Sequence, residues 1–178
     1  VALTHELADG GVDLGERRAR LVIEQIGQGE HGLDLTAAQH LRAVFLDLDQ
    51  PEIQADTLTV LGRVYRRLGA YDKAERLLER ALAVGRTVYG AEHVRIAQTL
   101  NDLGVLLTDK GDYAAAVRTL EECLTMRRKL LGPEHADVAV TLVELGRVYQ
   151  DLGLNRRADP LLRESLVVRR KVLGDAHR

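Results

Sequence analysis

Aromatic residues and cysteine are scarce in this sequence. Phe, Tyr and Trp together account for 3% of the 178 residues, Trp is absent, and Cys123 is the single cysteine. One cysteine excludes an internal disulfide. Hydrophobic residues make up 46% of the chain. With so few aromatic side chains among them, the core must consist mainly of Leu, Val and Ala, which suits close packing between helices.

A long apolar run and an excess of charge of one sign are also missing. No stretch reaches the roughly 18 consecutive apolar residues of a membrane-spanning helix, and 1–10 lacks a secretion-signal pattern. The 25 basic and 27 acidic residues are mixed along the chain, which indicates no nucleic-acid or membrane partner. We expect an excerpt from a longer protein that lies in the cytoplasm, or outside it if the parent protein spans a membrane.

What the sequence does contain is an internal repeat. The stretch at 61–65 returns at 103–107 and again at 145–149, an offset of 42 residues each time. A fixed period of this size is typical of a solenoid, in which each unit packs against its neighbours. We predict repeats at 49–90, 91–132 and 133–174, and the beginning of a fourth unit at 175–178.

Each repeat contains two helical stretches separated by glycine. Apolar residues recur at three- and four-residue spacings in both stretches, which predicts amphipathic helices and an all-α fold. The glycines at the turns are Gly69, Gly111 and Gly153, and those at the repeat ends are Gly90, Gly132 and Gly174. Glycine suits these places because it adopts the left-handed conformation without steric cost.

Small residues recur where two helices must cross closely. The three sets, each at 42-residue spacing, are Gly62, Gly104 and Gly146; Ala74, Ala116 and Ala158; and Ala81, Cys123 and Ser165. Cys123 is therefore interpreted as a small buried spacer. No histidine or basic residue flanks it in sequence to activate its thiol.

This pattern resembles the tetratricopeptide repeat. Its signature appears at Leu58, Leu61, Gly62, Tyr65, Ala74, Leu78 and Ala81, and again 42 and 84 residues later with some substitutions. The period is longer than the family's usual 34 residues or so. The segments at 89–93, 131–135 and 173–177, each with a glycine followed by a histidine, are similar to repeats of the kinesin-light-chain type. Asn155 departs from the tyrosine at Tyr71 and Tyr113, and Pro160 lies early in a second helix.

The resemblance implies a right-handed superhelical solenoid of antiparallel helix pairs, with the first helices lining a concave groove. In the family such a groove holds peptides. The lining residues that we predict are Thr59, Arg63, Arg67, Gln98, Asn101, Asp102, Val105, Val143, Glu144 and Arg147. In kinesin light chains the asparagine matching Asn101 pairs with the peptide backbone. Arg63 and Arg147 either bracket an acidic peptide or pair with Asp102 and Glu144 across neighbouring helices.

Residues 1–48 do not repeat. We predict that they form an atypical helical cap, because a terminal unit of a solenoid needs one polar face. The entry into the first repeat, at 47–55, is similar to that of bacterial serine/threonine kinases of the eukaryotic type with C-terminal tetratricopeptide repeats. This likeness suggests a bacterial signalling parent. The sequence itself contains no kinase motif.

Residues capable of chemistry are present but show no catalytic arrangement. His93, His135 and His177 recur once per repeat, too far apart for one zinc ion, and we expect each to pack or cap at a helix start. Paired arginines, including Arg127 and Arg128, are expected on solvated helix faces near helix C-termini. We predict neither catalysis, nor a cofactor, nor a metal site.

Two functions fit these features. The first is a non-catalytic scaffold that binds a protein or peptide ligand in the groove. The alternative is self-association through the last helix, where Leu162, Leu166 and Val167 would present an apolar face.

Overall fold

The computed structural model describes residues 50–174, except the side chain of Leu173. All regular structure in this range is α-helical. The helices are α1 (Pro51–Arg67), α2 (Tyr71–Tyr89), α3 (Val94–Lys110), α4 (Tyr113–Leu131), α5 (Ala136–Asp151) and α6 (Asn155–Leu173). The predicted cap at 1–48 and the predicted fourth unit at 175–178 lie outside the described residues.

The helices form three pairs: α1 with α2, α3 with α4, and α5 with α6. Helices within a pair pack most closely, and each second helix then packs against the first helix of the next pair. The turns within pairs are short, so the two helices of a pair run antiparallel. This arrangement confirms the predicted all-α repeat solenoid.

Glycine ends α3 by the mechanism that the sequence suggested. Gly111 has φ +82, and its backbone N–H donates to the Thr108 carbonyl at 3.0 Å. The next N–H, from Asp112, donates to the Leu107 carbonyl at 2.9 Å. These bonds satisfy carbonyls that the helix end would otherwise leave without partners.

The predicted close crossing is visible at Gly104, where α3 meets α4. A Cβ atom at this position would lie 2.6 Å from Leu120 Cγ, so only glycine fits without a shift. The same contact joins Gly62 to Leu78 and Gly146 to Leu162. The three glycines therefore set the distance between the helices of each pair.

The other small residues are buried, as predicted. Ala74, Ala116 and Ala158 are inaccessible to solvent, and so is Cys123. The Cys123 thiol donates to the Ala97 carbonyl, with 3.1 Å between Sγ and the oxygen. Burial raises the pKa of this thiol, and the Arg127 guanidinium opposes that effect only in part. Cys123 is a spacer, as the sequence indicated.

Histidine caps the first helices of the second and third pairs. His93 Nδ1 accepts a hydrogen bond from the Arg95 backbone N–H at 3.2 Å, and His135 Nδ1 accepts one from the Asp137 N–H at 3.1 Å. Both bonds satisfy a free N–H in the first helical turn. The capping role predicted for these two histidines is confirmed, and His177 lies outside the described residues.

The departures in the third repeat leave α6 intact. Asn155 begins α6, at the position that Tyr71 and Tyr113 fill in α2 and α4. Pro160 lies in the second turn of α6. Since proline has no N–H, the Arg156 carbonyl receives no helical hydrogen bond from that position.

First helices of successive pairs also approach one another directly, and successive second helices do so less. The stack is therefore tighter on the side of α1, α3 and α5. Curvature of this kind places the first helices on the concave side of a solenoid. No helix between residues 50 and 174 combines the length and the apolarity needed to cross a membrane.

Candidate functional site

The residues predicted to line the groove lie on α1, α3 and α5, but their accessibility differs. Arg63, Arg67 and Arg147 are exposed. Asn101 is buried, with only 6% of its surface exposed. The half-buried residues are Thr59, Gln98, Asp102, Val105, Val143 and Glu144. The accessible surface therefore combines exposed arginines with a half-buried floor of polar and apolar side chains.

A buried arginine lies beneath this floor. Arg127 projects from α4 between α3 and α5, and its Nη1 donates to Thr141 Oγ1 at 2.7 Å, to the Asp137 carbonyl at 2.9 Å and to Asn101 Oδ1 at 3.2 Å. Its Nη2 donates to Gln98 Oε1 at 2.9 Å. One guanidinium thus binds two first helices together and orients two residues of the predicted groove.

The prediction that the paired arginines are solvated was wrong for Arg127. Only 2% of Arg127 is exposed, although Arg128 beside it is exposed and binds Glu164 at 2.5 Å. An arginine can be buried here because Gln98 and Asn101 supply acceptors from the neighbouring helix. Comparison of the repeats could have indicated this burial. The position in α2 that matches Arg127 is Gly85, a buried residue and an unusual one for a helix interior.

Asn101 is held by the same network. Its Oδ1 accepts from Arg127 and from the Thr141 hydroxyl, the latter at 3.3 Å. A bound peptide would therefore have to displace or share these bonds to use this oxygen. The peptide-binding role of Asn101 stays a prediction.

Asp102 is the acidic residue nearest the buried network. Gln98 Nε2 lies 3.4 Å from each of its carboxylate oxygens, and Arg63 Nε lies 3.7 Å from Oδ2. Burial raises the pKa of the Asp102 carboxyl, while the charge of Arg63 and the bond from Gln98 oppose the rise. The groove floor therefore holds a carboxylate that is poorly solvated.

The sequence left two interpretations of Arg63 and Arg147: binding an acidic peptide, or pairing with Asp102 and Glu144. In the structure each of the two arginines forms an ion pair. Arg63 pairs with Asp102 on the next first helix, whereas Arg147 Nη2 lies 3.1 Å from Glu144 Oε2 within α5, not across helices. The two arginine side chains remain 46% and 44% exposed. A ligand carboxylate can therefore reach either guanidinium, although Asp102 and Glu144 are themselves half-buried.

A further chain of charges crosses all three first helices. Arg66 Nη1 on α1 binds Asp109 Oδ2 on α3 at 2.6 Å, and Asp109 Oδ1 lies 4.0 Å from Arg147 Nη2 on α5. Arg67, next to Arg66, is exposed. Ion pairs thus link the C-terminal parts of the three first helices.

The arrangement suits binding better than chemistry. Guanidinium groups donate hydrogen bonds to carboxylates or carbonyls, and half-buried Val105 and Val143 offer apolar contacts. Within residues 50–174 there is no group of three or more His, Cys, Asp or Glu side chains placed to hold a metal ion.

Comparison with known families agrees with this geometry. The family model of the tetratricopeptide repeat matches residues 53–129 and 96–171. The chain belongs to the tetratricopeptide repeat family. Members of this family bind other proteins, so this tetratricopeptide repeat chain is a protein-interaction scaffold. No curated protein matches its sequence.

Solved tetratricopeptide structures are similar to this chain. Nearly identical TPR-like repeats from a Podosopora anserina kinesin light chain share 26% identity with a TM-score of 0.64, over 73% of this chain and 61% of that one. A MamA protein shares 20% identity with a TM-score of 0.62, over 93% of this chain and 79% of that one. BtubC (BKLC) from P. vanneervenii shares 17% identity with a TM-score of 0.52, over 92% and 82%. The resemblance to kinesin-light-chain-type repeats is confirmed.

Proposed function

We propose that this scaffold binds an extended peptide segment of a partner protein in the groove formed by α1, α3 and α5, without catalysis. The observation that carries the proposal is the combination of exposed arginines with a floor held rigid by the buried Arg127 network. A rigid surface loses little conformational entropy when it binds a flexible segment.

The arginines favour a ligand with acidic side chains. Arg63 and Arg147 lie on first helices two pairs apart, and both side chains stay accessible although Arg63 pairs with Asp102 and Arg147 with Glu144 and Asp109. A ligand carboxylate that replaced Asp102 or Glu144 would form charge-assisted bonds with a guanidinium. We further propose that the groove belongs to a bacterial signalling protein, on the likeness of 47–55 to kinase-linked repeats.

Peptide display against the whole chain tests this function. The informative variant carries Arg63→Ala and Arg147→Ala, both exposed, and it spares buried Asn101, whose loss would disturb Arg127. The matched control carries Arg76→Ala and Arg80→Ala, two exposed arginines of α2. We expect enriched peptides that bind the control and fail to bind the groove variant. Peptides that bind both variants equally would contradict binding in the groove.

Self-association is a second candidate, favoured by the surface of α6. Leu166 and Val167 are 54% and 53% exposed, and Val172 beside them is also exposed. Two copies could cover these side chains, since neighbouring large apolar residues on a surface favour association. Light scattering across a hundredfold range of concentration tests this candidate. A constant monomer mass contradicts it, and a mass that rises with concentration and falls back in Leu166→Lys supports it.

A further inference from the structure

A second cleft lies on the opposite side of the stack from the groove, between the second helices α4 and α6. Its volume is about 620 Å³. Leu124 of α4, Leu145 of α5 and Leu161 of α6 contribute apolar surface. Clefts of this size bind ligands larger than a single ion.

The charged side chains of this cleft are not balanced. Arg128 is engaged by Glu164, and Glu121 Oε1 accepts a hydrogen bond from the Tyr149 hydroxyl at 3.2 Å. Arg156 and Arg157 also line the cleft, and neither has a carboxylate within 4.0 Å among the described residues. Arg157 lies over the Tyr149 ring, 5.8 Å from its centroid.

The repeat itself supplies an internal comparison. Four positions of the cleft have the same residue 42 positions earlier, between α2 and α4: Glu79, Leu82, Arg86 and Leu103 match Glu121, Leu124, Arg128 and Leu145. These residues build the scaffold, and even the ion pair of Arg128 has its counterpart between Arg86 and Glu122 at 3.0 Å.

Of the two arginines without a carboxylate partner, Arg157 has a counterpart in α2, where Lys73 lies over the Tyr65 ring, 5.8 Å from its centroid, but Arg156 has none. Ala114 and Ala115 occupy the matching positions in α4, so the second repeat folds without a cation at either position. In α2 the position of Arg156 is Asp72, an acidic residue in the first helical turn. The helix dipole favours an acidic residue in that turn and disfavours an arginine. The charge at Arg156 is therefore unfavourable for helix stability.

Pro160 leaves a backbone carbonyl without its helical hydrogen bond at a residue that lines the cleft. It replaces the arginine found at the matching position, Arg118, and its missing N–H leaves the Arg156 carbonyl without a helical partner. Both residues line the cleft. Cations, a carbonyl acceptor and an apolar floor together match the side-chain carboxylates, the backbone N–H and the apolar side chains of a peptide.

We propose that the cleft between α4 and α6 binds a short acidic peptide segment containing apolar residues, with Arg156 and Arg157 contacting its carboxylates. The site is separate from the concave groove, so this scaffold can hold two partner segments at once, one on each side of the stack.

Peptide display against three proteins tests the proposal: the unaltered chain, Arg156→Ala with Arg157→Ala, and a control with Arg163→Ala and Arg170→Ala. The first variant installs the alanines already present in α4, so it should fold, and equal thermal melting by circular dichroism checks this. The control removes two exposed arginines of the same helix that do not line the cleft. We expect acidic, apolar-containing peptides that bind the cleft variant roughly tenfold or more weakly and bind the control normally.

Two further proteins make the outcome specific to this cleft. The peptides should bind the groove variant, Arg63→Ala with Arg147→Ala, at full strength, and Arg156→Glu with Arg157→Glu should select basic peptides instead. The proposal is overturned if no acidic peptide is enriched, if the cleft variant and the control lose binding equally, or if only the groove variant loses it. In the last case the groove function stands and the cleft is not a binding site.

Discussion

At the scale of single residues, Arg127 shows how this fold keeps a charge inside. No carboxylate lies within 4.0 Å of its guanidinium in the described part of the chain, and its acceptors are amide, hydroxyl and backbone oxygens. Its Nε has no partner. A cation held this way is costly to bury, so its contribution lies in joining specific atoms of α3 and α5.

Replacing Arg127 should destabilise the protein, because the oxygens that accept its hydrogen bonds would stay buried without a donor. Arg127→Met keeps much of the packing of the side chain but leaves Gln98 Oε1 and Asn101 Oδ1 with fewer donors. Losing the partner of a buried polar group costs about 1–3 kcal/mol, and we expect a loss of that size in the free energy of unfolding measured with urea.

A double variant distinguishes lost hydrogen bonds from lost packing. Adding Asn101→Leu to Arg127→Met removes a polar atom left without a donor, and replacing both partners by apolar groups can be nearly neutral. The double variant should be more stable than Arg127→Met alone. If the two losses simply add, the network contributes nothing as a unit.

Asp102 should make stability depend on pH. Burial raises its pKa in the folded protein above the ordinary value of 3.8, so the native state binds more protons than the unfolded state between those two pKa values. Stability must then fall as the pH rises through that window, and ionised Asp102 costs stability at neutral pH. Asp102→Asn should consequently be more stable than the unaltered chain at pH 7.

Urea unfolding at several pH values checks this prediction. The advantage of Asp102→Asn should shrink as the pH falls toward 3.8, where the native carboxyl is already protonated. Asp109→Asn is the control, because it removes one charge from the same helix but breaks the ion pair with Arg66. A variant less stable than the unaltered chain at pH 7 would mean that the Arg63 ion pair outweighs burial.

At the scale of helices, the periodic features of the sequence were sufficient to predict where helices end, how two of them are capped and where pairs cross closely. The glycines at the turns, the histidine caps and the close crossings at Gly62, Gly104 and Gly146 follow from backbone geometry, which repeats with the sequence. Some side-chain pairings repeat too, such as Arg86 with Glu122 and Arg128 with Glu164, but those of Arg127 do not, since Gly85 occupies its position in α2. The burial of Arg127 depends on acceptors in two other helices, and no single helix reveals it.

Gly104 allows the crossing of α3 and α4 to be tested. Gly104→Ala improves helix propensity by about 0.5–1 kcal/mol, but its Cβ would meet Leu120 Cγ at 2.6 Å. Overpacking of this kind costs about 1–3 kcal/mol, so we expect a net loss in the free energy of unfolding. In a Leu120→Ala background the clash is absent, and the same substitution should become stabilising. A loss of equal size in both backgrounds would contradict the close crossing.

At the scale of the whole molecule, the stack has two distinct surfaces. The groove residues stay a prediction from the family resemblance, which assigns them to fixed positions of the first helices. The cleft between α4 and α6 could not be predicted in this way, since it depends on which residues of two different repeats meet. Ion pairs recur along the second helices, as in Arg86 with Glu122 and Arg128 with Glu164, and mark the shared scaffold. Differences between repeats, such as Arg156 in place of Ala114, are the better indicator of function in such a chain.

Stability should also vary along the stack. Leu124 of α4 is packed, with 6% exposed, whereas Leu166 at the matching position of α6 is 54% exposed. Each helix of a solenoid is held by its neighbours alone, so α6 should open more readily than α4. Amide hydrogen exchange at micromolar concentration should therefore be faster in α6, and equal protection of both helices would contradict this prediction. Repeating the measurement at higher concentration bears on function: slower exchange confined to α6 would favour self-association, and unchanged exchange would leave that face free for a different partner.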